Sequence, residues 1–302
     1  MAVALAMEGA FGFGLQNAKG AYAEPTTWLP LMASGERGSA DTVGLKRNYV
    51  TLDLADHNSF ESKYYSAGEW VEGELHFPLV PGALTALLSW IQTRDASGQG
   101  KWASILIDCI NEVKQVTDAK IKRATFDFVR GEPAMCTLEI AGLQIDHGSR
   151  PTPTMPTAAP YMYSEATVEI AKGGEALSED ANCERVRIVI DNVLEDPAAG
   201  LRLTPSAAPA TLYNLAGVRC WGAFSRDFMD NCIYMDLCAG QEAAIGITLA
   251  RGNTTATISL PRVLYTGSDL GLPGSHERRI VEKVDFLALG SVEGLTPPVV
   301  LG

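Results

Sequence analysis

Apolar and polar residues alternate along several short segments of this chain, which is the pattern of strands that bury one face. In the first half, Val71, Leu75 and Phe77 alternate with charged or polar neighbours, and Val186, Ile188 and Ile190 do so in the second half. The alternation predicts strands at residues 46–54, 71–77, 102–113, 121–130, 134–143, 166–171, 186–191, 232–238, 243–251, 254–265 and 280–289. Another strand is expected after Gly217, and the chain is therefore predicted to be mainly β.

One segment has helical periodicity instead. Leu84, Leu87, Leu88 and Ile91 recur at helical spacing after Pro81, a residue that suits the first turn of a helix. In the second half, residues 227–231 take the corresponding place. The sequence therefore predicts one clear helix, in the first half, and none that matches it in the second.

A short motif suggests that the chain contains a duplication. The motif Ala67-Gly68-x4-Gly73 recurs 149 residues later as Ala216-Gly217-x4-Gly222, and each copy follows a strand and a long polar loop. Residues 148–160 contain four prolines, which exclude regular structure there. We therefore predict two tandem β domains, at residues 1–147 with an N-terminal arm and at residues 161–302 with a C-terminal tail, joined by the Pro/Thr-rich linker 148–160.

Composition and charge narrow the class of protein. The 302 residues are 46% hydrophobic and 20% charged, as in soluble globular proteins. The formal net charge is -12, and acidic residues exceed basic ones in both halves, which disfavours specific binding to nucleic acid or to an anionic membrane. No apolar stretch is long enough to span a membrane, and no basic segment precedes the first apolar run, so a cytoplasmic origin is expected. The six cysteines form no C-x-x-C pair and are predicted to be small buried hydrophobes.

Candidate chemistry is sparse. Glu72 and Glu74 share a strand face, as paired catalytic carboxylates do, but alternating charge on a solvated face explains them more simply. Residues 9–14 are glycine-rich but lack the lysine of a phosphate-binding loop, so a flexible N-terminal arm is expected. Asp227, Asp230 and Asp236 lack the spacing of a calcium loop. The four histidines, at 57, 76, 147 and 276, are scattered and predicted to lie at the surface. The sequence thus predicts no catalytic residue, no metal site and no cofactor.

Several segments form a pattern that is typical of one protein family. They are AYAEPTTWLP at 21–30, the strand ending at Asp53, the AG-x4-G strand, PGALTALLSWI at 81–91, GEPAMCTLEIAGL at 131–143, IVIDN at 188–192 and ISLPRVLY at 258–265. Together these segments resemble the major tail tube proteins of long-tailed (siphovirus-like) bacteriophages. The resemblance implies two tandem tail-tube-like β-sandwich/barrel domains, in stacked rings whose sheets close into an inner barrel. Forms with two fused tube domains build a pseudo-hexameric ring from three chains.

The resemblance also implies a function and partners. The protein would be a virion component, assembled in the host cytoplasm, that forms an acidic-lumen conduit through which DNA passes without specific binding. Its partners would be itself and the tape-measure, tail-tip and terminator proteins, with no membrane and no cofactor. A secreted or surface β-sandwich module that binds carbohydrate is the alternative.

The same resemblance points to two sets of functional residues. Two polar loops would reach the next ring, with contacts from Asp56, Phe60, Glu61, Lys63, Tyr64 and Tyr65 and from Glu195, Arg202, Tyr213 and Asn214. The lumen would be lined by Asp53, Glu72, Glu74, Asp127, Glu139, Arg187 and Asp191, although these strand faces could instead lie on the outer surface. Ordinary mobile loops are the alternative for the first set. For the second half as a whole, the alternative is an outer decoration on a six-chain ring.

Overall fold

The computed structural model describes residues 9–32, 40–51, 64–109, 112–149, 152–172, 175–199, 201, 209–271, 279–290 and 297–302. The first half contains β1 (Ala10–Leu15), β2 (Thr27–Pro30), β3 (Gly44–Thr51), β4 (Tyr64–Pro78), α1 (Leu84–Gln92), β5 (Ala103–Asp108), β6 (Val113–Val129) and β7 (Met135–His147). The second half contains β8 (Ala166–Ile170), β9 (Ser178–Glu179), β10 (Cys183–Asp191), β11 (Arg219–Asp227), α2 (Cys232–Ala239), β12 (Ala243–Arg251), β13 (Thr254–Gly271), β14 (Val281–Ala288) and β15 (Val300–Leu301). The predicted mainly β class is confirmed. Neither α1 nor α2 is long and apolar enough to cross a membrane, and the described residues contain no other candidate span.

The two halves pair their strands in the same order. The order is β2-β1-β5-β6-β7-β4-β3 in the first half and β9-β8-β12-β13-β14-β11-β10 in the second, antiparallel throughout. Even the irregularities match. The β5–β6 register shifts between Ala103 and Ile105, and the β12–β13 register between Ala243 and Ile245. The likeness therefore extends well beyond the AG-x4-G motif.

The second half has a helix where none was predicted. Residues 232–238 were expected to form a strand, but Cys232–Ala239 is α2. It follows β11 as α1 follows β4, so both halves carry a helix at the same place. Gly240 ends α2 at φ 62°, a left-handed conformation that glycine adopts without strain. The predicted loss of the second helix was wrong.

Other element bounds also differ from the sequence predictions. Residues 10–15 are not a flexible arm but strand β1, which is buried between β2 and β5. The strand predicted at 102–113 ends at Asp108, and β13 continues to Gly271. β4 begins at Tyr64, inside the predicted contact loop, and the tail contains the short strand β15.

The two halves are joined by strand pairing. One edge of β6 pairs with β7, while its other edge pairs first with β5 and then, over Arg123–Val129, with β10. Eight strands therefore form one continuous sheet in the order β3-β4-β7-β6-β10-β11-β14-β13, which we call the eight-stranded sheet. One of its faces packs into the core through Phe77, Phe126, Leu138, Ile188, Phe224 and Val284. Tyr161, directly after the linker, is also buried, and its backbone bonds both Leu79 and Ala134.

Candidate functional site

The face of the eight-stranded sheet that points away from the core carries most of its charge. Strand residues alternate between faces, so Glu72 and Glu74 of β4 lie on the face opposite to that of the core residues Leu75 and Phe77. Six predicted lumen residues lie on this non-core face: Glu72, Glu74, Asp127, Glu139, Arg187 and Asp191. The seventh, Asp53, lies outside the described residues.

Ion pairs cross the β6–β10 junction on this face. Arg187 binds Asp127 with two parallel hydrogen bonds, Nε to Oδ1 at 2.7 Å and Nη2 to Oδ2 at 3.0 Å. Arg123 lies 3.4 Å from Asp191 across this junction, and 3.5 Å from Glu139 on its other side, in β7. Such bidentate and networked contacts fix the register of neighbouring strands more than they add stability, because partly exposed pairs contribute only about 0–1 kcal/mol each.

The predicted acidic character of the face is offset by these partners. Glu72 accepts a 2.8 Å bond from Lys122, and Glu74 lies 3.3 Å from the ring of His76. Burial alone would lower the pKa of Lys122, but its bond to Glu72 raises that pKa above the ordinary value. The carboxylates on this face are therefore held next to basic groups rather than displayed singly.

The second predicted contact loop is anchored to the first half at its base. The backbone N–H of Glu195 donates to the carbonyl of Tyr213. The residue Tyr213 itself is 49% exposed. The side-chain Oδ1 of Asn214 accepts from the N–H of Gly100 at 2.9 Å, and its Nδ2 donates to the carbonyl of Asn192. Asn214 therefore bonds within the chain, while Tyr213 remains available to a neighbour.

Five of the predicted contact residues lie outside the described part of the chain: Asp56, Phe60, Glu61, Lys63 and Arg202. Tyr64 and Tyr65 form the first two residues of β4, where they pair with Thr51 and Val50.

Sequence reasoning missed Lys120, which holds the base of this loop. Its Nζ donates to the carbonyl of Leu212 at 2.7 Å and lies 4.5 Å from the ring centre of Trp102. Burial lowers the pKa of Lys120 to about 8. Its signal in the sequence is a lysine flanked by Ala119 and Ile121, both buried.

A buried ion cluster in the second half was also missed. Arg226 has no exposed surface, and its guanidinium bonds Glu282 and Asp180 at 2.9 Å each and Asp230 at 3.3 Å. The repeat places Arg226 where the first half has Phe77, and Glu282 where it has Cys136. Charged residues at the core phase of an alternating strand are the signal that could have revealed the cluster.

Two further sequence predictions are corrected by burial. His76 is not at the surface: it is 4% exposed, and its Nδ1 lies 2.8 Å from the hydroxyl of Thr137. Cys232 and Cys238 are exposed, whereas Cys136, Cys183 and Cys220 are buried as predicted and Cys109 is half-buried. Within the described ranges, no group of three or more histidine, cysteine, aspartate or glutamate residues could hold a metal ion.

Comparison with known proteins gives the family. No curated protein matches the chain. A solved structure described as "Cryo-EM structure of the anti-feeding prophage (AFP) baseplate, 6-fold symmetrised" is 8% identical, with a TM-score of 0.32 over 51% of this chain and 97% of that one. A TM-score this low does not establish a shared fold. A family model described as phage tail tube protein matches residues 3–280, nearly the whole length. The chain therefore belongs to the phage tail tube protein family.

Proposed function

We propose that three copies of this chain close into one ring of the tail tube of a siphovirus-like phage. The family is one of structural phage tail tube proteins and not of enzymes, which supports a structural role in the virion tail and does not favour a carbohydrate-binding module. In the proposal, each chain contributes two tube domains, residues 1–147 and 161–302, joined by the linker 148–160. The ring is then a pseudo-hexamer made of three chains.

One observation carries this proposal: the strand order repeats, and β6 pairs with β10 to join the repeats into one sheet. A sheet that already continues from one repeat to the next can continue from one chain to the next by the same pairing. Closure into a barrel removes the exposed strand edges, which otherwise invite uncontrolled association.

The non-core face of the eight-stranded sheet would line the lumen. Its carboxylates, among them Glu72, Asp127 and Glu139, are paired with cations of the same face. Because those cations are engaged and the chain is acidic as a whole, the lumen would offer phosphates little attraction. DNA could then pass during ejection without binding.

The proposed partners follow from this role. The chain would bind itself within and between rings, with Tyr213 and residues 56–63 reaching the next ring. It would also contact tape-measure, tail-tip and terminator proteins. Assembly would take place in the host cytoplasm.

Electron microscopy of the purified protein tests the proposal. Negative staining should reveal hollow tubes or stacked rings once the protein is concentrated. A protein that stays monomeric at every concentration and salt condition, and binds glycans instead, would overturn the tail-tube assembly proposed here.

A further inference from the structure

We propose that β13 of one chain pairs with β3 of the next chain, in the register that β6 and β10 show inside the chain. This inference rests on the proposed function, because it names the two edges that would close the ring. Within the described residues, β3 pairs only with β4, and residues 264–271 of β13 pair only with β14. These two edges lie at opposite ends of the eight-stranded sheet.

The counterpart of each edge residue follows from its partner in the neighbouring strand. In the first half, Leu45 pairs with Val71 of β4, and in the second half Ile190 pairs with Cys220 of β11. Val71 and Cys220 occupy the same position relative to Gly73 and Gly222 of the repeated motif. Leu45 of β3 therefore corresponds to Ile190 of β10.

The other edge is matched through β7 and β14. Cys136 of β7 and Glu282 of β14 occupy corresponding positions in the two halves. Phe126 pairs with Cys136, and Leu270 pairs with Glu282. The register shift near Arg123 in β6 recurs near Gly267 in β13, at the same distance from these pairs. Leu270 therefore corresponds to Phe126.

The exposure of these four residues shows which junction is complete. Phe126 and Ile190, at the junction inside the chain, are 0% and 1% exposed. Their counterparts Leu270 and Leu45, at the two ends of the sheet, are 48% and 41% exposed. A neighbouring chain in the same register would cover both leucines, which makes a second copy of this chain the partner that fits.

Applying the register of the internal junction to the corresponding residues predicts which residues would pair between chains. Phe126 pairs with Ile188 inside the chain, so their counterparts Leu270 and Val43 of the next chain would pair. Thr125 pairs with Val189, so Asp269 would pair with Gly44 of the next chain. Ser268 would then face Leu45, and Gly267 would face Lys46. The carboxylate of Asp269 would lie diagonally across from the ammonium of Lys46, as Asp127 lies diagonally across from Arg185 at 3.4 Å inside the chain.

The β3 edge carries a polar cap in the single chain. The N–H of Val43 donates to Oδ1 of Asp41 at 2.8 Å, and its carbonyl accepts from Nζ of Lys114 at 2.9 Å. Val43 directly precedes β3, and the N–H of Thr42 next to it bonds the carbonyl of Glu74 in β4. Because the backbone groups of successive residues point to opposite sides, those of Val43 point to the open side. The counterparts of Asp41 and Lys114 are Val186 and Ile258, apolar residues of the half whose edge is already paired. The cap therefore occurs only where the edge is open, as in other proteins that protect edge strands with charge. Pairing with Leu270 would displace it.

A cross-strand disulfide tests the register. Across the internal junction, the backbone N–H of Asn192 donates to the carbonyl of Lys122, and the N–H of Arg130 donates to the carbonyl of Glu184. Hydrogen-bonded and non-hydrogen-bonded pairs alternate along an antiparallel ladder, so the Thr125–Val189 pair between these bonds is a non-hydrogen-bonded pair, whose side chains are close. The double variant Gly44→Cys/Asp269→Cys should therefore form a disulfide between chains. Both substitutions are made in a Cys232→Ser/Cys238→Ser background, which removes the exposed thiols. Within one chain the two positions lie seven strand spacings apart, roughly 34 Å, so they cannot bond to each other.

The expected result is that oxidised assemblies run on a non-reducing gel as covalent species that stop at three chains. The matched control Leu45→Cys/Asp269→Cys places the two thiols on opposite faces of the sheet and should not cross-link. Tubes that form without a Gly44–Asp269 cross-link would overturn this junction and leave the tail-tube proposal standing. The absence of any ring or tube, with no cross-link, would overturn both.

Hydrogen exchange on the unmodified protein gives an answer that does not depend on the variants. The amides of Leu45 and Leu270 should exchange at least tenfold more slowly in tubes than in single chains. Unchanged exchange at both strands in assembled tubes would contradict the pairing.

Discussion

Replacing Arg226 with methionine should destabilise the second half strongly. Arg226 is completely buried, and its guanidinium bonds Glu282, which is also completely buried, and Asp180, which is nearly so. Removing one partner of a buried ion pair typically costs about 3–5 kcal/mol, because it leaves an uncompensated charge. Asp180 keeps its 3.0 Å contact with Lys172, so the loss falls mainly on Glu282 and the lower end, about 3 kcal/mol, is expected.

Thermal unfolding of the unassembled chain measures this loss. At about 2–4 °C per kcal/mol for a chain of this size, Arg226→Met should lower Tm by roughly 6–12 °C. The control Arg130→Met removes a cation whose side chain is 67% exposed and which lies 3.3 Å from Glu184, so it should cost less than about 1 kcal/mol.

A double variant separates lost charge compensation from lost packing. Arg226→Phe/Glu282→Cys installs the pair that the first half uses at these positions, Phe77 and Cys136, and should recover most of the lost Tm. An Arg226→Met protein that melts within about 2 °C of the unmodified chain, or no lower than Arg130→Met, would refute the reasoning.

Three further predictions concern other parts of the chain. Burial lowers the pKa of Lys120 from 10.5 to about 8, so between these pH values the unfolded chain binds a proton that the folded chain lacks. Stability should therefore rise with pH across that window, and Lys120→Met should flatten the rise in denaturant titrations; equal slopes would contradict the assignment. Lys114→Met removes the cap from the carbonyl of Val43 and should shorten the lag before assembly in light scattering, whereas Lys101→Met, at an exposed position, should not. Deleting residues 56–63 should prevent rings from stacking while leaving single rings folded, and tubes of unchanged length would disprove the role of that loop.

The strands were predictable because a strand that buries one face has apolar residues at every second position. Val71, Leu75 and Phe77 in β4 alternate with residues of the non-core face, and the structure follows this alternation. The same alternation placed Glu72, Asp127 and Arg187 each on the polar face of its own strand, but it could not show that these strands lie in one continuous sheet. That continuity depends on which strands pair.

The helix α2 was mistaken for a strand because short apolar runs do not distinguish the two. Residues 232–238 contain Ile233, Tyr234 and Met235, which suit either structure, and α2 buries only Ile233 and Asp236. The glycine at 240 was the informative signal. Its N–H bonds the carbonyl of Leu237 and the next N–H bonds that of Asp236, which closes the helix end.

The β6–β10 junction could not be predicted from periodicity. It joins residues about 60 positions apart in sequence, such as Asp127 and Arg187, and local patterns carry no information about such pairing. The alternation places Arg226 at a core position of β11, but it does not show that Asp180 and Glu282 are its partners, because these come from segments on either side of it in the sequence.

The number of chains in a single ring tests the central claim most directly. Native mass spectrometry of single rings, combined with end-on class averages from electron microscopy, measures it. Three chains of 32.3 kDa should form each ring, with six similar lobes arranged with three-fold symmetry. A ring of six chains, with the second half of each lying outside the barrel, would contradict the account.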